Sequence, residues 1–353
     1  MGKWENNVRK VVPYTPGEQP QQKNIIKLNT NENPYPPAPA VLSAFGRLTA
    51  EGLRRYPDPR AGRLTDALAA YYGVSPEQVF VGVGSDDVLA MAFQTFFNSS
   101  EPVLFPDITY SFYDVWAEAF RIPYKTIPLT ERFEIRAEDY LIPNGGIVFP
   151  NPNAPTGTAI TLEAVETILR GNPDVVVIVD EAYVDFGAES ALPLIDQYEN
   201  LLVVQTYSKS RSMAGARVGY AIGSSRLIAY LNAFKYSFNS YTMNDAAIIL
   251  GAAALTDEDY FQETCRKIIE TREWAKQEFS RLGFSFGDSC ANFIFVTHAK
   301  VPARDIFAAL RGRNIFVRYF DKPRIDNYLR VTIGTRAEME QLFTALEEII
   351  DGK

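Results

Sequence analysis

VVQTYSKSRSMAGARVGYAIG, residues 203–223, decides how this chain reads. It begins inside one apolar run, LLVVQT (201–206), and ends in another, VGYAIG (218–223). Runs this short are below helix length and suit strands buried on both faces. Between them lies a loop of small and hydroxylic residues that carries Lys209, Arg211 and Arg217.

Five further runs precede this pair: VFVGVG (79–84), PVLFP (102–106), YKTIPL (124–129), GIVFP (146–150) and VVVIVD (175–180). Helical patterns such as DDVLAMAFQTFFN and TLEAVETILRG lie between them. Alternation of this kind predicts an α/β fold, a seven-stranded, mostly parallel sheet covered by helices. From about residue 245 the pattern changes. A long helical stretch, DYFQETCRKIIETREWAKQEFSRLG, is followed by ANFIFVTH, a helix near 302–312, IFVRYF, YLRVTIG and a terminal helix. Residues 1–40 are rich in Pro, Asn and Gln and read as an extended arm. The expected organisation is an arm (1–40), a large α/β domain (41–245) and a small α+β domain (246–353).

Composition narrows the partners. The chain has 353 residues and a net charge of −8, which disfavours nucleic acid and acidic membrane surfaces. No stretch approaches the ~20 apolar residues of a membrane span, and the first residues lack a signal-peptide core. A cytoplasmic location is expected. Cys265 and Cys290 have no paired spacing and read as reduced thiols, and the single histidine, His298, reads as structural. No metal site is expected.

In a sheet of this kind ligands gather at the carboxyl ends of the strands. Four such ends carry chemistry. After VFVGVG, Ser85 and Asp86 open a helix; they either cap it or seat an anion on its amides. After GIVFP comes NPNAPTG, with Asn153, which alone reads as a proline-rich turn. VVVIVD ends on Asp180, followed by Glu181 and Tyr183. A carboxylate there either caps the next turn or meets a cation. After LLVVQT, Thr206, Ser208 and Arg217 surround Lys209. That loop is either a solvated turn or a phosphate cradle around an amine nucleophile. Arg211 is open between phosphate and surface, and Lys235 and Lys322 read as surface residues. Taken together, an anion seat, a carboxylate for a protonated ring nitrogen and a lysine for an aldehyde describe one ligand, pyridoxal 5′-phosphate.

The pieces LNTNENPYPP, RYPDPRAGRLTDALAAYYGV, VGSDDVLAMAFQTFF, FPDITYSFY, NPNAPTG, VDEAY, TYSKSRSMAGARVGY, SFNSYTMN and RYFDKPRIDNYLRVTIGT carry a resemblance over nearly the whole chain. The sequence resembles the fold-type I pyridoxal-phosphate aminotransferases (class II subfamily), and within them the histidinol-phosphate aminotransferases. The resemblance implies a homodimer with shared active sites in histidine biosynthesis. It would move an amino group reversibly between L-histidinol phosphate and 2-oxoglutarate: L-glutamate would give up its amino group and leave as 2-oxoglutarate, and imidazole-acetol phosphate would take it and leave as histidinol phosphate. Lys209 would hold the cofactor's aldehyde and shuttle the proton, Asp180 would pair with the ring nitrogen, and Tyr183 would contact the ring's phenolic oxygen. Tyr110 would stack on the ring. Ser85, Asp86, Thr206, Ser208 and Arg217 would hold the phosphate, with Tyr56 reaching the neighbouring subunit's phosphate. Arg330 would bind the substrate's anion, with Arg318 and Asn33 as secondary contacts. One position departs from the family: Ala154 stands where an asparagine usually precedes PTG. Asn153 is the substitute donor, and failing it Tyr183 makes the contact alone. An aromatic or broad-range aminotransferase and a phospho-amino-acid decarboxylase share the cofactor residues and remain alternatives. An effector-sensing transcription regulator would need an added DNA-binding domain.

Overall fold

The computed structural model describes residues 3–352. All seven runs become strands, each shortened by no more than two residues: β1 (Val79–Gly82), β2 (Val103–Pro106), β3 (Tyr124–Ile127), β4 (Gly146–Pro150), β5 (Val177–Asp180), β6 (Leu201–Thr206) and β7 (Gly219–Gly223). They form one sheet in the order β1-β7-β6-β5-β4-β2-β3. Every pairing is parallel except those of β7, which runs antiparallel to both β1 and β6.

Period-two alternation splits the sheet between two cores. Val177, Val179, Leu201 and Val203 face one apolar layer, while Ile178, Leu202 and Val204 face the other. Both faces are dry, so these strands need apolar residues at every position, which is why they read as unbroken runs. Helices Gly62–Tyr72 and Asp245–Ala253 cover the first face, and helix Ser85–Phe96 contributes to the second. Residues 247–250 therefore pack with the large sheet.

The C-terminal lobe is a four-stranded antiparallel sheet of β8 (Phe284–Phe286), β9 (Phe293–His298), β10 (Arg318–Tyr319) and β11 (Leu329–Thr332), in the order β10-β11-β9-β8. Helices Glu258–Arg281, Ala303–Gly312 and Arg336–Ile350 pack on it. IFVRYF does not form one strand. Ile315–Phe316 pairs in parallel with Ile26–Lys27 of the N-terminal segment, and only Arg318–Tyr319 joins β11. The segment continues into this lobe: the Leu28 amide donates to the Phe316 carbonyl, and the Thr332 amide donates to the Leu28 carbonyl. Leu28 is buried in the lobe's core. No described helix is long and apolar enough to cross a membrane.

Several residues read by themselves find their places here. His298 is buried, and its Nδ1 accepts from the Lys300 and Val301 amides, so it closes a turn. Lys322 is exposed. Lys235, expected at the surface, is 2% exposed; its Nζ donates to the Pro59 carbonyl, and burial lowers its pKa. It belongs to the buried face of helix Ser225–Phe238, which packs on β1 with Lys235 Nζ 5.7 Å from the Phe80 ring centroid, a placement a single sequence does not reveal. Arg211 takes neither expected role. It is buried over the rings of Phe261 and Tyr71, and its Nη1 donates to the Ala254 carbonyl.

Candidate active site

The carboxyl ends of β1, β4, β5 and β6 meet on one edge of the sheet. The antiparallel β7 brings its amino end there, with Gly219 facing Gly82 and Thr206. Above this edge lies a cavity of about 160 Å³. Ser85, Asp86, Tyr110, Asp180, Tyr183, Thr206, Ser208, Lys209 and Arg217 all line it. A second cavity of about 260 Å³ shares Asp86, Tyr110, Tyr183 and Lys209, and extends to Arg318 and Arg330.

At one end sits the start of helix Ser85–Phe96. Its N-cap is Gly84, and no side chain caps it. Asp87 bonds back to the Val83 amide, leaving Ser85 and Asp86 in the first turn at the cavity. Gly84 has φ +84°, and Gly219 passes so close that a Cβ there would lie 2.2 Å from the Gly84 carbonyl carbon and the Ser85 nitrogen. Arg217 reaches over this turn, its Nη2 3.3 Å from Asp86 Oδ2. The Ser208 amide donates to Thr206 Oγ1, which orients both hydroxyl residues at the end of β6. Bare amides at a helix start, a guanidinium and hydroxyls are donors of the kind that can seat a phosphate.

Asp180 ends β5 on the cavity floor at 4% exposure. Its Oδ2 accepts from the buried Tyr113 hydroxyl at 2.8 Å and its Oδ1 from the Ala182 amide at 3.3 Å. Burial is the larger influence and pushes its carboxyl up to about 6. Among the described residues it makes no ion pair. A buried carboxylate in that state is matched by a cation at its open side. Glu181 points away from the cavity to Ser190, Gln205 and the Ala191 amide, and burial pushes it up to about 7.

Lys209 is half-buried. Its Nζ donates to the Thr30 carbonyl at 3.1 Å and lies 5.7 Å from the Tyr183 ring centroid. Tyr110 donates to Asp86 Oδ1 and packs beside Phe112 and Tyr113. Across the second cavity, Arg330 lies between the Phe293 and Phe320 rings. Its Nη2 donates to the Asn29 carbonyl, while its Nε has no partner. A half-buried guanidinium whose buried Nε is an unused donor is suited to an anion. Arg318 stands at the rim of that cavity, its Nη2 donating to the Thr15 carbonyl.

Three expected residues lie off the cavities. The Asn153 amide donates to the Ile108 carbonyl and Thr156 Oγ1, and its Oδ1 accepts from Thr109. Asn33 donates to the Lys209 and Ser210 carbonyls, so it braces the lysine loop from behind. Tyr56 is 82% exposed, its ring against Tyr241. Two residues not singled out in the sequence do belong to the site. Tyr113 holds Asp180, and Asn31 donates to the Tyr183 hydroxyl at 2.9 Å. Both sit inside quoted motifs, FPDITYSFY and LNTNENPYPP, but which motif residue touches which partner is set only by the fold.

A helix-start phosphate seat, an unpaired carboxylate and a lysine around one cavity define a pyridoxal-phosphate enzyme of the aminotransferase type. The family model "Aminotransferase class I and II" matches residues 23–346, and the chain belongs to that family. Its relatives narrow this further. It is 53% identical to histidinol-phosphate aminotransferase 1 of Methylococcus capsulatus, over 99% of this chain and 98% of that one. It is also 53% identical to histidinol-phosphate aminotransferase 1 of Hydrogenovibrio crunogenus, over 98% of each. Within the class, the chain is a member of the histidinol-phosphate aminotransferases. Among solved structures, the histidinol-phosphate aminotransferase of Sinorhizobium meliloti in complex with pyridoxal-5′-phosphate is similar, with a TM-score of 0.84 and 27% identity over 93% of this chain and 91% of that one.

Proposed function

We propose that this chain transfers an amino group reversibly between L-histidinol phosphate and 2-oxoglutarate, with pyridoxal 5′-phosphate as cofactor. The observation that carries this reading is the pairing of two anion seats across Lys209: the helix start with Arg217 on one side, and the half-satisfied Arg330 on the other. The residues fit the cofactor. Asp180 supplies a carboxylate for a protonated ring nitrogen, Tyr110 a ring face, Tyr183 a hydroxyl, and Arg217, Thr206, Ser208 and the Ser85–Asp86 turn the phosphate contacts. The bound cofactor contributes an aldehyde and an electron-withdrawing ring that stabilises negative charge developing at the substrate's Cα.

The protein's own groups perform the rest. Lys209 occupies the shared wall of the two cavities, where its amine can take a proton from Cα and return it on the other side of the reaction. Arg330, and Arg318 at the rim, grip the phosphate of histidinol phosphate in one half of the cycle and the distal carboxylate of glutamate in the other. The guanidinium fork matches both anions. Tyr14, Phe112 and Phe320 narrow the second cavity and favour a flat imidazole over open water.

The same reading includes a homodimer. Leu42, Phe45, Leu53, Tyr56, Phe238 and Tyr241 are exposed, and Tyr56 packs on Tyr241. A second copy would cover this apolar set and bring Tyr56 to the neighbouring phosphate seat.

A single-turnover spectrum tests the reading. Histidinol phosphate added to the cofactor-loaded protein without a keto acid should bleach the visible cofactor band at low substrate concentration, and 2-oxoglutarate should restore it. A response to phenylalanine or tyrosine alone would overturn the substrate assignment. Release of carbon dioxide would point to a decarboxylase.

A further inference from the structure

Asn31 lies in the N-terminal segment at 1% exposure, with φ +57°, a conformation asparagine tolerates better than most residues. Its hydrogen bonds decide which way its carboxamide faces. The Thr332 hydroxyl oxygen accepts from the Asn31 backbone amide at 3.1 Å, so its own proton is free to go to Asn31 Oδ1 at 3.0 Å. That places Oδ1 toward Thr332 and leaves Nδ2 toward Tyr183, whose hydroxyl oxygen it meets at 2.9 Å. Asn292 Nδ2 fixes the same residue again by donating to its backbone carbonyl. With its oxygen engaged as an acceptor, the Tyr183 hydroxyl has one remaining direction for its proton. That direction is the cavity it lines with Lys209 and Ala154.

We propose that Asn31 is a positioning residue for the reaction: its amide aims the Tyr183 hydroxyl proton into the cofactor cavity, whose lining among the described residues holds no asparagine or glutamine side chain. The Asn153 amide is committed to Ile108 and Thr156, and the methyl of Ala154 supplies no side-chain donor. The same unit ties the arm to β11, where Thr332 shares a face with Arg330, so the residue that receives the substrate's anion and the phenol that meets the cofactor hang on one strand.

This inference rests on the pyridoxal-phosphate reading, and its test separates the two. The charged and titratable groups around Tyr183 are Lys209, Asp86 and Arg217 at the first cavity's wall, Asp180 on its floor, Tyr110 and Tyr113 on the ring side, Glu32 on the arm, and Arg330, Arg318 and Tyr14 at the second cavity. Asn31→Ala alters none of these groups, and Asn31→Asp adds one carboxylate to them. The readout is the pH midpoint of the visible absorbance of the cofactor-loaded protein without substrate. A phenol proton donated to the cofactor's ring oxygen favours the unprotonated form of the band, so losing its aim moves the midpoint up. Asn31→Asp keeps the backbone preference and the Thr332 bond but presents an acceptor to Tyr183. It should raise the midpoint by about one pH unit, the equivalent of one net hydrogen bond. Asn31→Ala should raise it by about half as much or more. Thr332→Val, which frees the carboxamide without touching Tyr183, should give a smaller rise. An unchanged midpoint in Asn31→Asp, with the protein folded and loaded, overturns the proposal. Absence of any visible band in the unaltered protein overturns the cofactor reading instead.

Discussion

Replacing Asp180 with asparagine in the cofactor-free protein removes a titration that the fold makes costly. An unfolded aspartate has its ordinary value of 3.8, while burial holds the folded Asp180 near 6. Below the lower value both states are protonated and the folded state bears no penalty. As pH rises toward 6 the unfolded chain gives up the proton and the folded chain must either keep it or bury a charge. Stability from this group is therefore complete at low pH and lost as pH passes through about 6. The difference of 6 − 3.8 = 2.2 units, at 1.36 kcal/mol each, is on the order of 3 kcal/mol. Urea unfolding of the apo-protein from pH 4 to 8 should show the unaltered chain losing that much more stability than Asp180→Asn. Glu181, pushed up to about 7, titrates in both proteins and cancels. Saturating cofactor, which offers the carboxylate a cation, should flatten the slope of the unaltered chain alone. Parallel slopes in the two apo-proteins would refute the picture of Asp180 as a desolvated carboxyl awaiting a partner.

Three further outcomes follow from the same geometry. Lys209→Ala should abolish transamination while leaving the circular dichroism unchanged, and measurable turnover in that variant would remove the lysine from its role. Gly219→Ala drives a Cβ into the Gly84–Ser85 backbone at 2.2 Å and should weaken cofactor binding at least tenfold (about 1.4 kcal/mol), whereas Gly215→Ala, with nothing within 4 Å, should bind normally. Arg330→Lys should raise KM for both histidinol phosphate and glutamate by roughly 10- to 100-fold with little change in cofactor affinity, since the fork is lost and a point charge remains. A rise for only one of the two substrates would mean that they do not share this anion seat.

The local pattern of this chain already specifies its large sheet. Seven apolar runs separated by helical segments leave few ways to bury two faces, and Asp180 and Lys209 stand out because a carboxylate and an amine at the ends of such runs conflict with burial unless a ligand meets them. The resemblance of the motifs extended that to the phosphate seat and to Arg330. What the pattern did not hold was side-chain direction in irregular backbone. Asn31, Asn33 and Asn153 are three asparagines in two loops, equally polar in the sequence. The fold turns one to Tyr183, one to the lysine loop's carbonyls, and one away from the site. IFVRYF looks like one strand, yet it divides because Ile26–Lys27 arrives from the other end of the chain to pair with its first half. Lys235 looks like a surface charge and Arg211 like a surface or phosphate-binding one, yet both are buried, with Lys235 Nζ and Arg211 Nη1 donating to backbone carbonyls 176 and 43 residues away in sequence. Periodicity is a property of neighbours in sequence, and it determined the elements. Hydrogen-bond partners are neighbours in space, so only the tertiary structure could decide which polar groups make the site.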